Sequence, residues 1–281
     1  MLVEKAHYPI RVMARVLEVS PSGYYAWRGR PLIAPRVHAN DVLRQRIRRL
    51  HAASRGTYGS PRLLRALREA GARVGRNRII RVMRAERLHG RPRRRFRLTT
   101  QADPAATPAP NLLGRQFAVA GPNRVWAGDV TALPTDQGWL YLTVVLDLWS
   151  RRVIGWALRP TLETELVTAA WHMAVGRRQT VPQLHHSDRG SQYTSDAYQR
   201  LLRHHRVRCS MSRRGNCWDN APVESFFRTL KVELTTGAWP TRAVAVAAIH
   251  DYIEQFYNTT RLHSSLGYQS PARFEQQAPV A

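Results

Sequence analysis

The sequence predicts an α/β domain built on a mixed five-stranded sheet flanked by helices, preceded by an all-α helix-turn-helix region. Three observations predict it. Residues 123–158 read as three closely spaced strand-like runs, after which helices and strands alternate as far as Lys231. Residues 40–90 read instead as three amphipathic helices studded with arginine. Between the two lies Q-A-D-P-A-A-T-P-A-P-N, poor in large apolar side chains and semi-extended by composition. The expected organisation is a small helical segment over 1–35, a basic helix-turn-helix domain over 40–95, a linker over 96–122, and an α/β domain with a C-terminal tail over 123–281.

In chain order, Val12, Val16, Leu17 and Val19 suggest a short apolar helix face, and Ser20-Pro21 supplies an N-cap and N1 pair for a second helix. Pro31 to Pro35 reads as a short connection. Asn40 or Asp41 is expected to cap the next helix, with Val42, Leu43, Ile47 and Leu50 inward and Arg44, Arg46, Arg48 and Arg49 outward. Gly59 turns the chain, and Ser60-Pro61 opens a helix with Leu63, Leu64 and Leu67 inside that ends at Ala70-Gly71. A third helix follows Gly75, burying Ile79, Ile80, Val82 and Met83 and exposing Arg76, Arg78, Arg81 and Arg84. An arginine-faced helix after a turn suits a reader with that helix in the major groove, and Arg93, Arg94 and Arg95 suit phosphate contacts.

Charge supports a polyanionic partner. The chain of 281 residues carries a formal net charge of +25. Residues 1–100 hold 25 Lys and Arg against 5 Asp and Glu, and residues 101–281 hold 19 against 14. A net of +20 over the first hundred residues repels itself and calls for counter-charge, which points to nucleic acid. Only Lys5 and Lys231 among the 44 basic residues are lysine, so Lys231 stands out against an arginine-rich background. Cys209 and Cys217 form no C-x-x-C pair and no disulfide framework, consistent with reduced thiols. The N-terminus lacks the apolar run of a signal peptide, and no stretch approaches the ~18 apolar residues of a membrane span.

In the second half, R-V-W-A-G-D-V-T-A-L, W-L-Y-L-T-V-V-L-D-L and R-R-V-I-G-W-A-L read as three strands, the first two joined by a turn at Gly138, hence antiparallel neighbours. A helix from about Glu163 to Val175 precedes a strand running out into Asp188-Arg189-Gly190. A right-handed crossover through that helix would lay the Asp188 strand parallel to the Asp129 strand and bring the two carboxylates side by side. A helix near 195–204, the strand R-V-R-C-S-M, and a helix opened by Asp219 or Asn220 with Pro222 in its first turn complete the order. Glu224, Phe227, Arg228 and Lys231 then share one helix face. Trp218 and Asn220 are expected to fix the turn before that helix, and Arg228 to pair with the helix's own acids. The remainder holds a helix over 244–257 and a loop in which Arg261 and His263 either reach phosphate or pack beneath the domain.

Several motifs from His185 onward carry a resemblance. H-S-D-R-G-S-Q-Y, S-M-S-R-R-G-N-C-W-D-N-A, E-S-F-F-R-T-L-K and H-S-S-L-G-Y resemble the catalytic core of DDE transposases and retroviral-type integrases, and within that superfamily the second-frame protein of IS3-family insertion sequences. The resemblance spans about residues 41–275 and implies an RNase H-like fold. It also implies binding of insertion-sequence ends, with nicking and strand transfer into target DNA by Asp129, Asp188 and Glu224, which hold two Mg²⁺ ions that Mn²⁺ can replace. Lys231 would contact the DNA end, and Arg228, one turn nearer Glu224, is a further candidate contact. The resemblance further implies a homo-oligomer on DNA, a bacterial cytoplasmic, nucleoid-associated location, and an upstream-frame partner or fusion bearing a helix-turn-helix and leucine zipper. Asp147, which ends the second strand, rivals the three acids as a ligand. A structure-selective nuclease or a DNA-binding regulator on the same fold are the alternative functions. His185 and His186 lack a third ligand at zinc spacing and read as strand-end histidines.

Overall fold

The structure, a computed structural model, describes residues 3–29, 35–91, 108–234 and 237–277. It contains two compact units, Met1–Gly56 with Leu63–His89, and Thr57–Arg62 with Gly90–Ala281.

The first unit is helical. Helices α1 (Ile10–Val16) and α2 (Pro21–Arg28) are short, and Ser20 caps α2 by accepting the Gly23 N–H at 2.9 Å. The apolar face expected on α1 is not buried: Val12, Val16, Leu17 and Val19 are all exposed, and only Ala14 is covered. A seven-residue helix turns fewer than two full times and presents no stripe wide enough to seat against a neighbour. Helix α3 (Pro35–Ala53) begins before the expected caps. Asn40 lies inside it and accepts both Nε and Nη2 of Arg78, at 3.1 and 2.7 Å. Val42, expected inside, is exposed, while Leu43 and Ile47 are buried. Helices α4 (Ser60–Glu69) and α5 (Arg76–Ala85) bury Leu63, Leu67, Ile79, Val82 and Met83 as their periodicity predicts. Gly71, at φ +77°, makes the left-handed turn that ends α4.

The second unit holds one sheet of order β3-β2-β1-β4-β5. Its strands are β1 (Val125–Thr135), β2 (Gly138–Asp147), β3 (Val153–Arg159), β4 (Leu184–Ser187) and β5 (Arg208–Met211). The first three pair antiparallel, and β4 and β5 join in parallel. Helix α6 (Thr164–Arg178) makes the predicted crossover, so β4 lies against β1 with Trp126 opposite His185. The remaining helices are α7 (Ser191–Thr194), α8 (Asp196–His204), α9 (Ala221–Leu234), α10 (Arg242–Asp251) and α11 (Pro271–Gln276). Helix α10 runs on into a π-helical turn, Tyr252–Tyr257. The sheet and its flanking helices form the predicted mixed five-stranded RNase H-like arrangement.

Trp126, Val145, Ile154, Val167, Trp171, Tyr193 and Tyr198 pack between the sheet and α6–α8, with Trp126 meeting Trp171 edge-on at 5.4 Å. Gly155 lets α6 reach the sheet: a Cβ there would stand 2.1 Å from the Ala170 carbonyl oxygen. Of the expected linker, residues 96–107 lie outside the described residues. Leu112 and Leu113 are bound by the Ser210 hydroxyl at 2.9 and 3.2 Å, and Leu113 is buried, so this part lies along β5.

The C-terminal tail is locked rather than presented. Arg261 is buried and grips Glu233 of α9 with Nε and Nη2, each at 2.8 Å, while Tyr252 donates to the same carboxylate at 2.9 Å. His263 is buried against the Tyr257 ring at 4.7 Å. Both residues take the packing role left open by the sequence. Tyr58 accepts the Leu262 N–H at 2.8 Å, which ties the Thr57–Arg62 turn into this unit.

Candidate active site

Asp129 sits in the middle of β1, where the strand passes the end of its parallel neighbour. Asp188 follows β4 immediately, at the C-terminal edge of the strand, where ligands of open α/β sheets gather. Its Oδ1 accepts the Gly190 N–H at 3.0 Å, which shapes the exit turn. Glu224 stands in the first turn of α9. Asn220, just before α9, donates from Nδ2 to the Gly128 carbonyl at 3.1 Å and thereby fastens the helix start beside Asp129.

The register of β1 with β4 and the Asn220 bond bring these acids to one end of the sheet, and their electrostatic effects run in the direction that proximity gives. Burial pushes the Asp129 carboxyl well up, the Asp188 charge pushes it further, and Glu224 adds to the shift. Glu224 is raised by burial and by Asp188, with Arg228 opposing. Lys231 is lowered by burial while Asp129 favours its charge. Two strands and a helix therefore bring Asp129, Asp188, Glu224 and Lys231 toward one end of the sheet. Arg228 is exposed and acts on Glu224 from four residues along the helix, in line with the expected pairing to an acid of its own helix.

The donor set suits a hard divalent cation. Asp188 raises the proton affinity of both Asp129 and Glu224 beyond what burial does, and a cation offsets such crowding of acids; hydrated Mg²⁺ needs only a few carboxylate oxygens. Among the described residues, no three His, Cys, Asp or Glu side chains stand in a ready-made coordination cluster.

Asp147 plays no part in this site. It is fully buried and accepts the Asn123 and Trp149 N–H groups, each at 2.8 Å, with Arg178 3.8 Å away. Asp129 pairs with Val144, three residues short of Asp147. An odd separation of three places Asp147 on the opposite face of the sheet, about 10 Å along the strand. The rival ligand is thus a loop anchor.

His185 and His186 are buried in the sheet. Burial lowers His185 to about 3 and His186 to about 4, so both are neutral. His185 meets the Tyr198 hydroxyl at 3.0 Å, and His186 meets the Ser210 and Ser212 hydroxyls at 2.8 and 3.3 Å. Asp219 does not cap α9. Its buried carboxylate accepts Arg213 Nε and Nη2, Arg115 Nε and Asn111 Nδ2 at 2.8–2.9 Å, which holds its pKa far below the usual carboxylate range. Asn220 fixes the turn as expected, but Trp218 is 67% exposed and does not brace it. Sequence reading overlooked Asp219 as an organiser, although its place in the W-D-N run marked it.

In the helical unit Arg76, Arg81 and Arg84 face solvent, whereas Arg78 is half-buried and held by Asn40. Arg93, Arg94 and Arg95 lie outside the described residues.

Comparison with known proteins identifies the family. Family models described as integrase core domain match residues 119–217 and 205–271, and one described as HTH-like domain matches residues 38–96. Transposase InsF for insertion sequence IS3A, from Escherichia coli (strain K12), is 40% identical over 282 residues, spanning 99% of this chain and 98% of the relative. This chain belongs to the IS3 family of insertion-sequence transposases. A second relative, the insertion element IS600 uncharacterized 31 kDa protein of Shigella sonnei, is 41% identical over 268 residues, covering 94% of this chain and 98% of its own length. Among solved structures, the HTLV-2 integrase catalytic core domain in complex with magnesium is similar at 17% identity and TM-score 0.43, covering 56% of this chain and 98% of that one. A simian T-cell lymphotropic virus intasome chain reaches TM-score 0.49 at 14% identity, over 83% of this chain and 75% of that one. As a member of the family the chain is a DDE-type polynucleotidyl transferase that acts on DNA, and integrase-type domains of this kind generally use a divalent metal. Among the described residues no helix is long and apolar enough to cross a membrane.

Proposed function

We propose that Asp129, Asp188 and Glu224 are the catalytic acids of this IS3-family transposase and that together they hold two Mg²⁺ ions, which Mn²⁺ can replace. The observation that carries the reading is the placement of the three acids at one junction, where β4 runs parallel to β1 and ends at Asp188, and Asn220 fastens the start of α9 to Gly128. When bound, the ions supply Lewis-acid activation of the attacking oxygen and charge stabilisation of the leaving one. The residues themselves position the phosphodiester. In nicking, water attacks phosphorus, the P–O3′ bond breaks and the 3′-oxygen leaves as a hydroxyl. In joining, that 3′-OH attacks a target phosphodiester and displaces the target's own 3′-oxygen. No side-chain nucleophile is needed. Lys231, half-buried two turns along α9 from Glu224 and electrostatically linked to Asp129, binds the adjoining phosphates of the DNA end.

The substrate is the element's terminal repeats, with target DNA as acceptor. The exposed Arg76, Arg81 and Arg84 of α5, with Arg93, Arg94 and Arg95, supply phosphate contacts that hold the end, and the protein works as a homo-oligomer on DNA in the bacterial cytoplasm. An upstream-frame protein bearing a leucine zipper, or a fusion to it, completes end recognition. The domain limits 1–35, 40–95, 96–122 and 123–281 belong to the same reading. The test is to incubate the protein with DNA flanking its gene and Mg²⁺ and to map 3′ ends. Asp129→Asn, Asp188→Asn and Glu224→Gln should each abolish nicking and joining while DNA binding persists. Full activity in the Glu224→Gln protein would overturn the assignment.

A further inference from the structure

The chain leaves a large aromatic side chain in water at the edge of this site. Trp218 is 67% exposed, an uncommon state for a residue that buries so much apolar surface when it can. Its backbone is not loose. It lies in the 3-10 turn Cys217–Asn220, and the two residues after it are clamped. Asp219 accepts five hydrogen bonds, including the Arg213 N–H at 3.0 Å, and Asn220 binds the Gly128 carbonyl at 3.1 Å. The indole is thus carried on a rigid mount rather than a free loop.

Its setting is cationic and close to the acids. Arg115 and Arg213 hold Asp219 yet keep 43% and 56% of their side-chain surface open, and Arg214 is exposed beside them. Asn220 touches the residue next to Asp129, and two residues of chain span at most about 7 Å, so Trp218 is within a few nucleotides of any phosphodiester held by the carboxylates. Two other exposed tryptophans lack this setting. Trp139 pairs with Pro134 at the hairpin end of β1, and Trp27 lies in the helical unit. An exposed ring framed by guanidinium groups is the arrangement by which proteins hold an unpaired base, the ring stacking on the base while cations track the backbone.

We propose that Trp218 is a stacking platform for an unpaired DNA base beside the phosphodiester undergoing transfer, with Arg213 and Arg214 on the adjoining backbone. This rests on the catalytic reading above, because it makes the base part of the same bound end. Stacking at this position stabilises an opened end and fixes which phosphodiester meets the acids. Any base has a face to offer, so the platform is indifferent to sequence.

The test uses the full chain with a synthetic duplex carrying a short single-stranded thymidine tail, 5-iododeoxyuridine in the tail, and EDTA to prevent chemistry. Irradiation should cross-link the tail to Trp218, as mapped by peptide mass. Trp218→Ala should weaken binding of the tailed duplex by about five- to a hundred-fold and leave the blunt duplex unchanged, while Trp218→Phe keeps most of the affinity. Equal affinity of Trp218→Ala and wild type for the tailed duplex would overturn the proposal, as would a cross-link mapping elsewhere or joining Trp218 to a second protein copy. Running the same cross-link on Glu224→Gln separates the two readings. If that variant retains transfer activity yet cross-links at Trp218, the catalytic assignment fails and the platform stands. If it is inactive and Trp218→Ala behaves as wild type, the platform alone fails.

Discussion

Replacing Asp129 with Asn should destroy activity and at the same time make the metal-free protein more stable. The Asp129 Oδ1 accepts the Val130 N–H at 2.8 Å, and an amide oxygen can keep that bond. What the substitution removes is charge: the cost of burying it and the repulsion from Asp188 and Glu224, against which the attraction of Lys231 is the smaller effect. The sign follows from the direction of the shift. A carboxyl whose folded pKa lies above its unfolded value near 3.8 weakens the fold once it ionises, so the charged form is a liability at neutral pH. Asp129→Asn should therefore melt above wild type in EDTA at pH 7, by roughly 2–4 °C for each kcal/mol of charge burial and repulsion relieved. The advantage should shrink as pH falls toward 4, because the wild-type carboxyl is then neutral too. Adding Mg²⁺ should reverse the order. Binding at 100 times Kd stabilises by about 2.7 kcal/mol, and that benefit should largely disappear with a ligand removed. Differential scanning calorimetry in EDTA and in Mg²⁺, at pH 7 and pH 4.5, reads all four conditions. An Asp129→Asn protein less stable than wild type in EDTA, or one that gains as much from Mg²⁺, would refute the reasoning.

Three further outcomes follow from the packing. Gly155→Ala should destabilise by about 1–3 kcal/mol or more in urea titration, because its Cβ would stand 2.1 Å from the Ala170 carbonyl oxygen and 2.9 Å from the Ala174 Cβ; an unchanged midpoint would contradict the close approach of α6 to β3. Arg261→Ala should cost about 3–5 kcal/mol by leaving the buried Glu233 carboxylate without its bidentate partner, whereas an exposed phosphate-binding arginine would cost under about 1 kcal/mol, so chemical denaturation distinguishes the two roles. His185 and His186, with folded values lowered to about 3 and about 4 from 6.5, contribute stability that is complete above pH 6.5 and lost as pH falls through the window below it. His186→Asn should flatten the decline in measured stability between pH 6.5 and 4, and an unaltered slope would show that the ring is not buried neutral.

The sheet and the pairing of Asp129 with Asp188 were legible because each depends on a rule that acts locally or through chain direction. Hairpin turns set β1–β3 antiparallel, and one crossover of fixed hand sets β4 beside β1. The acids at the strand junction then had to be neighbours. Asp147 shows where such reading stops. In sequence it is an acid at a strand end like Asp188, set below it only because it falls outside the family's motifs, and the register places it on the far face, where it holds a loop. Arg261 and Glu233 show the same limit over 28 residues, since nothing near either one signals that two exposed-type residues will be buried together. The valines of α1 failed in the other direction: a periodicity over seven residues predicts a buried face only if a neighbour arrives to cover it. Asp219 and Trp218 join both lessons. The acid looked like a helix cap and is instead the keystone of a loop, and the indole looked like packing and is instead held out to solvent by that keystone. Each follows from the other, because a loop fixed by so many polar contacts has no need of the tryptophan inside it, and the side chain is left available to bind what the site binds.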